Sequence, residues 1–463
     1  MQWLREGDAN SKFLHGIMSC RRRRNAIPFF LVDGMLVEGV ENVRAAVLTH
    51  FSSHFKFRSA SRPSMDGLQF HLLSCREGAA LIKPFWTDEV KDVVWDCDNF
   101  KCLGPDGITF GFIEEFWDML KEDVMRFLVE FHRNGKLTKG INSTFIARIP
   151  KVDNPQSLND FRPISLVGSL YKILAKVLAN RLRLIIGSVI SDTQTAFIKG
   201  RQILDGILVA NEVVDEARKC KKELILFKVD FEKAYDSIDW NYLEEVVLKM
   251  GFPTLWRKWI KECVGTATTS VLVNGSPTDE ISFERGLRQG DPFSPFLFLL
   301  AVEGFHILME SLSVNNLFNG YKVGRRYNMV VSHLQFANDT LILGEKSWAN
   351  IRSIRAILLL FEELSGLKVN FSKSMLVGVN VTGSWLVEAT LVLNCKVGSI
   401  LFMYLGMPIG GNARQLSFWD PLIRRINSRL SGWRSRYLSL GGRLVLLKSV
   451  MSSLPVYAHS FLG

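Results

Sequence analysis

His333-Leu334-Gln335-Phe336-Ala337-Asn338-Asp339-Thr340-Leu341 carries the pattern from which the rest of the chain can be read. Mostly apolar runs flank a short polar pair, which predicts strand, tight turn and strand with an acid at the turn. A carboxylate there would be fixed by the ladder on both sides and open to solvent, as a metal ion requires. The pair is Asn338-Asp339, an amide and an acid. Upstream, Leu224–Val229 is a continuous apolar run of strand length that delivers Asp230 at its end. Alone, such an Asp reads first as a turn residue or helix cap. Together, the two acids suggest a shared site.

Between them lies Arg285-Gly286-Leu287-Arg288-Gln289-Gly290-Asp291-Pro292-Phe293-Ser294-Pro295. Gly286 and Gly290 let backbone approach a ligand closely, and Gln289 can hydrogen-bond a base or sugar. The plainer reading is a loop leading into a helix that Pro292 and Pro295 start. The apolar run 292–302 ends at Glu303, is too short to span a bilayer and predicts a buried helix. Elsewhere the spacing predicts a hairpin around Asp33-Gly34, a helix opening at Thr87-Asp88-Glu89, and helices over 110–131, 166–190, 242–250 and 351–364. It predicts strands over 145–150, 330–336 and 340–343, a hairpin at Asn274-Gly275, and mostly helix beyond Tyr404. Strands and helices in this order fit an α+β fold.

The 463 residues suffice for two or three domains and a sizeable core. Hydrophobic residues at 47% and charged residues at 22% are a globular balance, not a disordered one. A net charge of +11 suits an anionic partner, nucleic acid above all, or serves solubility alone. Cys20, Cys75, Cys97, Cys102, Cys220, Cys263 and Cys395 are scattered, with no CxxC pair. That argues against a disulfide framework or structural zinc and for a reducing compartment, nuclear or cytoplasmic. No secretory signal pattern opens the chain. Arg21-Arg22-Arg23-Arg24 is either a solvated face or a phosphate-contacting or nuclear-import patch.

Asp230, the Gln289-Gly290 loop and the Asn338-Asp339 turn, in this order, resemble the reverse transcriptase family, and most closely the LINE-type non-LTR retrotransposon enzymes abundant in plants. Further motifs keep the family order. Trp3-Leu4-Arg5-Glu6-Gly7-Asp8-Ala9-Asn10-Ser11-Lys12-Phe13-Leu14-His15 is similar to the segment upstream of that polymerase domain. Gly104-Pro105-Asp106-Gly107 resembles its opening motif, with Leu103 where proline is common. Ile149-Pro150-Lys151 and Phe161-Arg162-Pro163-Ile164-Ser165 resemble the fingers motifs, and Gln194-Thr195-Ala196-Phe197-Ile198-Lys199-Gly200-Arg201 the next block. Gly366-Leu367-Lys368-Val369-Asn370 and Tyr404-Leu405-Gly406-Met407-Pro408-Ile409-Gly410 resemble the later palm motifs.

The resemblance implies an α+β right-hand polymerase of fingers, palm and thumb, with an antiparallel palm sheet and packed helices. It lays out a basic N-terminal extension over 1–85, fingers and the start of the domain over 86–222, and palm over 223–380. The end of the palm and a partial thumb-like helical region follow over 381–463, and the core domain covers 134–410. It implies RNA-directed DNA synthesis with two Mg²⁺ ions: one lowers the pKa of the primer 3′-hydroxyl, the other neutralises the triphosphate and leaving pyrophosphate. By resemblance Asp230, the Phe231 backbone carbonyl and Asp339 are metal ligands. Tyr235 matches the bulky side chain that blocks a ribose 2′-hydroxyl. Lys151 and Arg162 match residues that grip the triphosphate. Gln289 and Gly290 match the floor of the nucleotide pocket, and Lys368 or Lys373 would protonate pyrophosphate. The implied partners are an RNA template, a DNA primer and deoxynucleoside triphosphates, with no membrane.

The family has Phe-Ala-Asp-Asp where this chain has Phe336-Ala337-Asn338-Asp339. Asn keeps size and one oxygen but loses the charge that Mg²⁺ prefers, so an impaired or inactive enzyme is expected. Elements of this kind carry an endonuclease before the polymerase. Neither such a region nor a Cys/His knuckle is visible, so a partial, degenerate copy is expected. Three other readings stand beside it: a non-catalytic nucleic-acid binder, a pseudogene product without function, and a metal nuclease using Asp230 and Asp339. The nuclease leaves Tyr235 and Gln289-Gly290 without a role.

Overall fold

The computed structural model describes residues 29–32, 35–57, 62–99, 103–152, 155–324, 329–411 and 415–430, with a few isolated helical positions besides. The Trp3–Leu14 motif residues, Arg21-Arg22-Arg23-Arg24 and Asp33-Gly34 lie outside the described residues.

Leu224–Val229 is the middle strand of a five-stranded sheet. Its order is His333–Phe336, Asp339–Glu345, Leu224–Val229, Met375–Val379 and Lys396–Val397, antiparallel except for the last pair. Alternate residues of the middle strand enter different cores. Ile225, Phe227 and Val229 join helices Trp240–Lys249, Ser294–Val314 and Trp348–Ser365 on one face. Leu224 and Leu226 join helix Ile203–Cys220 and the hairpin Phe402–Tyr404/Met407–Ile409 on the other. Both faces are covered, so this mostly antiparallel sheet carries continuous apolar runs instead of apolar–polar alternation.

A second sheet joins Phe161–Val167, Ser143–Pro150, Thr268–Val273 and Ser276–Pro277, with Ile281–Ser282 also on Thr268–Val273. Helix Val40–Phe55 lays Val43, Val47, Phe51 and Phe55 against Ile146, Val271 and Phe283. The Asn274-Gly275 hairpin forms as expected, with φ of +51° and +93° at its two turn residues. This is the α+β architecture of a right-hand polymerase.

Several expectations change. The helix expected over 166–190 begins at Ser169, because Phe161–Val167 is wholly paired to Ser143–Pro150 and Gly168 is extended. The Asp106 carboxylate accepts from Ser169 N, so the Gly104-Pro105-Asp106-Gly107 turn caps this helix. The 110–131 helix is broken at Phe116 into Phe110–Glu115 and Trp117–Asn134. The 330–336 strand divides: Met329–Val331 pairs with Tyr321–Val323, and only His333–Phe336 joins the main sheet. Beyond Tyr404 the chain first turns through Leu405 and Gly406, both at positive φ, into the strand Met407–Ile409 before helix Leu416–Leu430. The 292–302 run does not end at Glu303: the helix continues to Val314, long and apolar enough by itself to cross a membrane. Its surroundings decide its role. Phe298, Leu300 and Phe305 are wholly buried in the protein core, and Glu303 is bonded to Ser191.

Candidate active site

Phe336 pairs with Asp339, leaving Ala337-Asn338 as a two-residue turn. Ala337 sits at φ +52°, a left-handed conformation uncommon for a residue with a Cβ. Gln194, 1% exposed, holds it there. Its Oε1 accepts from Ala337 N at 2.8 Å, and its Nε2 donates to the Ala337 carbonyl at 3.4 Å. Gln335 N donates to the Thr193 carbonyl at 2.8 Å and Thr195 N to the Gln335 carbonyl at 3.0 Å, so this segment borders the sheet edge. Sequence reasoning reached Gln194 only as part of a motif and missed this clamp.

Thr340 pairs with Val229 and Leu341 with Lys228, so Asp339 comes opposite Asp230 one step further along. Strand alternation puts Asp230, Asp339 and Lys228 on one face, beneath the Phe402–Tyr404 strand. There Lys228 Nζ donates to the Met403 carbonyl at 2.9 Å. Burial raises the carboxyl pKa of Asp230, against the pull of Lys373 and Lys228. Burial also raises Asp339, where Lys228 opposes and the Asp230 charge adds. Lys228, hidden inside an apolar run, was not singled out from sequence.

A cavity of about 740 Å³ opens at the ends of these strands. Asp230, Asn338, Lys151, Arg162 and Gln289 line it, with Phe231 and Lys373. These residues, separated by up to 222 positions from Lys151 to Lys373, are thus brought together. Lys368 instead lines a neighbouring cavity. Asp339, Gly290 and Tyr235 are outside the cavity lining. Gly290, at φ +104°, docks on the strand Phe161–Val167, where a Cβ would meet the Ser165 carbonyl at 2.8 Å. The Tyr235 ring stacks on Phe298 at 4.5 Å, and burial pushes its hydroxyl up to about 12.

The cavity wall is rich in cations. Burial lowers the pKa of Lys151, and the nearby Lys373 and Arg162 charges lower it further. Lys233, also in the wall, is lowered by burial too. Crowded ammonium and guanidinium groups favour a polyanion, which would relieve their mutual repulsion. The acids have the opposite need. Asp230 and Asp339 form a partly buried, like-charged pair that a cation would relieve, with the Asn338 amide beside them. Among the described residues no group of three or more His, Cys, Asp or Glu side chains forms a metal cluster. The donors present for a divalent cation are two carboxylates and an amide.

Comparison with known proteins agrees with this geometry. The sequence model of the reverse transcriptase (RNA-dependent DNA polymerase) family matches residues 149–411, more than half of the chain. A transposon TX1 protein of 149 kDa from Xenopus laevis is 26% identical over 98% of this chain and 34% of its own length. The Pol polyprotein of a type-1 retrotransposable element R2 from Popillia japonica is 28% identical over 52% of this chain and 33% of its own. The chain thus spans about a third of the length of these curated relatives. A solved structure of telomerase from Candida tropicalis with a telomeric RNA fragment aligns at TM-score 0.40 and 12% identity, over 76% of this chain and 59% of that one. With the matched region enclosing the acid pair, the Gln289-Gly290 loop and most of the cavity wall, the chain belongs to the reverse transcriptase family, as a domain of the non-LTR retrotransposon type.

Proposed function

We propose that the chain is the RNA-directed DNA polymerase of a LINE-type non-LTR element of the kind abundant in plants, impaired by Asn338. The observation that carries this reading is the placement of Asp230 opposite Asp339 at a cavity whose other walls hold Lys151, Arg162 and Lys373. Lys151 and Arg162 bind the triphosphate of a deoxynucleotide, Arg by forked contacts and Lys as a point charge. Gln289 orients the nucleotide from below. Asp230 and Asp339, with the Phe231 carbonyl, would hold Mg²⁺, which supplies activation of the primer 3′-hydroxyl and screening of the triphosphate. Lys373, which shares the cavity with Asp230 and acts on its charge, returns a proton to pyrophosphate in preference to Lys368, which lines the neighbouring cavity. The RNA template and DNA primer follow the strand ends, and the cysteine usage supports a nuclear or cytoplasmic setting.

Asn338 removes one of the family's three carboxylates. The test is primer extension on an RNA template with Mg²⁺, comparing the chain with Asn338→Asp. A gain above roughly 10–100-fold is expected, since loss of even an indirect ligand contact costs that much. Comparable rates would sink the impairment. A second reading, a nucleic-acid binder without chemistry, is favoured by the same substitution beside an intact set of cations. Salt-sensitive primer–template binding with no extension by either form would select it.

A further inference from the structure

We propose that His54 is a positioning residue for the nucleotide pocket, acting through Asp236 on Gln289, so that a helix upstream of the family-matched region completes the pocket. The proposal rests on the reverse transcriptase reading of the cavity. His50, Phe51 and His54 line that cavity although they precede residue 149, where the family match begins.

The end of helix Val40–Phe55 is tied to the loop before Gly286. Arg285 Nε and Nη2 donate to the His54 carbonyl at 3.1 and 2.7 Å. Glu284 N donates to the Phe55 carbonyl at 3.1 Å, and Phe57 N to the Glu284 carboxylate at 2.8 Å. The Phe55 and Phe283 rings meet at 4.3 Å. The backbone under His54 is therefore anchored to the same loop that carries Gln289.

The His54 side chain lies between two partners of fixed polarity. Its Nε2 is 3.4 Å from Asp236 Oδ2, and its Nδ1 is 3.4 Å from Lys233 Nζ. An ammonium only donates and a carboxylate only accepts, so Nε2–H donates to Asp236 while Nδ1 accepts from Lys233. The His50 ring stacks parallel on it at 6.2 Å, and burial, with Lys233 and His54 adding, pushes His50 down to about 4. Asp236 is 4% exposed, and its other oxygen, Oδ1, accepts from Gln289 Nε2 at 3.2 Å. A carboxylate selects the nitrogen end of that amide and leaves its carbonyl end to a ligand. His54 thus holds the carboxylate that sets which way Gln289 presents itself.

The test uses the full chain carrying Asn338→Asp. KM for dTTP and kcat are measured in primer extension, dTTP binding to the primer–template complex is measured in Ca²⁺, and melting temperatures are compared. His54→Ala should raise KM and the dissociation constant about tenfold with little change in kcat. His54→Gln, whose Nε2 can reach Asp236, should stay within about twofold of the parent. His54→Ala added to Gln289→Ala should cost nothing further, since both act on one contact. Equal effects of His54→Ala and His54→Gln, or multiplying effects of His54→Ala and Gln289→Ala, would overturn the relay alone. A parent that neither extends nor binds dTTP would overturn the reverse transcriptase reading and the relay with it.

Discussion

On the proposed reading, position 338 carries an amide where the family has a carboxylate, and one negative charge is gone. The buried acids that remain are under the opposite pressure, since burial raises both Asp230 and Asp339. Restoring the third acid with Asn338→Asp adds charge beside an already strained pair, which is tolerable only if a cation joins them. The gain in extension should therefore come with a rise in Mg²⁺ affinity, read from the Mg²⁺ dependence of the rate. Glu303 is a different buried acid with a different consequence. It accepts from Ser191 N and Oγ at 3.0 and 3.2 Å, but burial outweighs both and pushes it up to about 8. The native state then holds this proton more tightly than the unfolded chain does, whose value is 4.5. Its stability contribution is full below 4.5 and is lost as pH rises to about 8. His333, pushed down to about 3 by burial, works the other way and loses stability as pH falls from 6.5. The cleanest window therefore lies between 6.5 and about 8. There Glu303→Gln should flatten the fall of melting temperature with pH, and an unchanged slope would refute the assignment.

Gly286 shows how one element fixes another. Its φ is +82°, its N–H donates to the Ile238 carbonyl at 2.8 Å, and a Cβ would lie 2.5 Å from the Asp236 carbonyl oxygen. Gly286→Ala must therefore move backbone against backbone. A destabilisation of about 1–3 kcal/mol is expected, read from the urea midpoint at unchanged slope. A neutral result would mean the loop sits elsewhere. The sequence was legible where an element is settled by its own residues. The Leu224–Val229 strand and the Asn274-Gly275 hairpin are of that kind. It misled where a partner decides: Leu166 and Val167 look helical by spacing, yet pairing with Ser143–Pro150 holds them extended. The site divides in the same way. Asp230, Lys151, Arg162 and Gln289 follow from motif order and do share a cavity. His54, Gln194 and Lys228 were missed because their partners are 182, 143 and 175 residues away, beyond any local pattern.

Taken whole, the molecule carries a surplus of +11, and part of it is concentrated at the cavity as Lys151, Arg162, Lys233 and Lys373. Charge used only for solubility would be spread over the surface and would give weak, non-saturating binding to nucleic acid. Charge arranged to follow a backbone releases counterions on binding, and the affinity then falls linearly with salt on a log–log plot. For a duplex the slope is about −0.9 per phosphate neutralised, so engagement of four phosphates gives about −3.6. We expect a slope of about −3.6 or steeper for an RNA template annealed to a DNA primer, measured by fluorescence anisotropy from 50 to 300 mM KCl. Without nucleotide, Arg162→Ala should leave this slope unchanged, because Arg162 is assigned to the triphosphate, and should weaken dTTP binding to the primer–template complex instead. Asn338→Asp should leave it unchanged, because position 338 is assigned to the proposed acid site rather than to the cationic wall. A slope near zero would remove nucleic acid as the partner. A steep slope that Asn338→Asp alone makes shallower would place the strand contact at the acids and contradict the division of the cavity into a cationic wall and an acid pair.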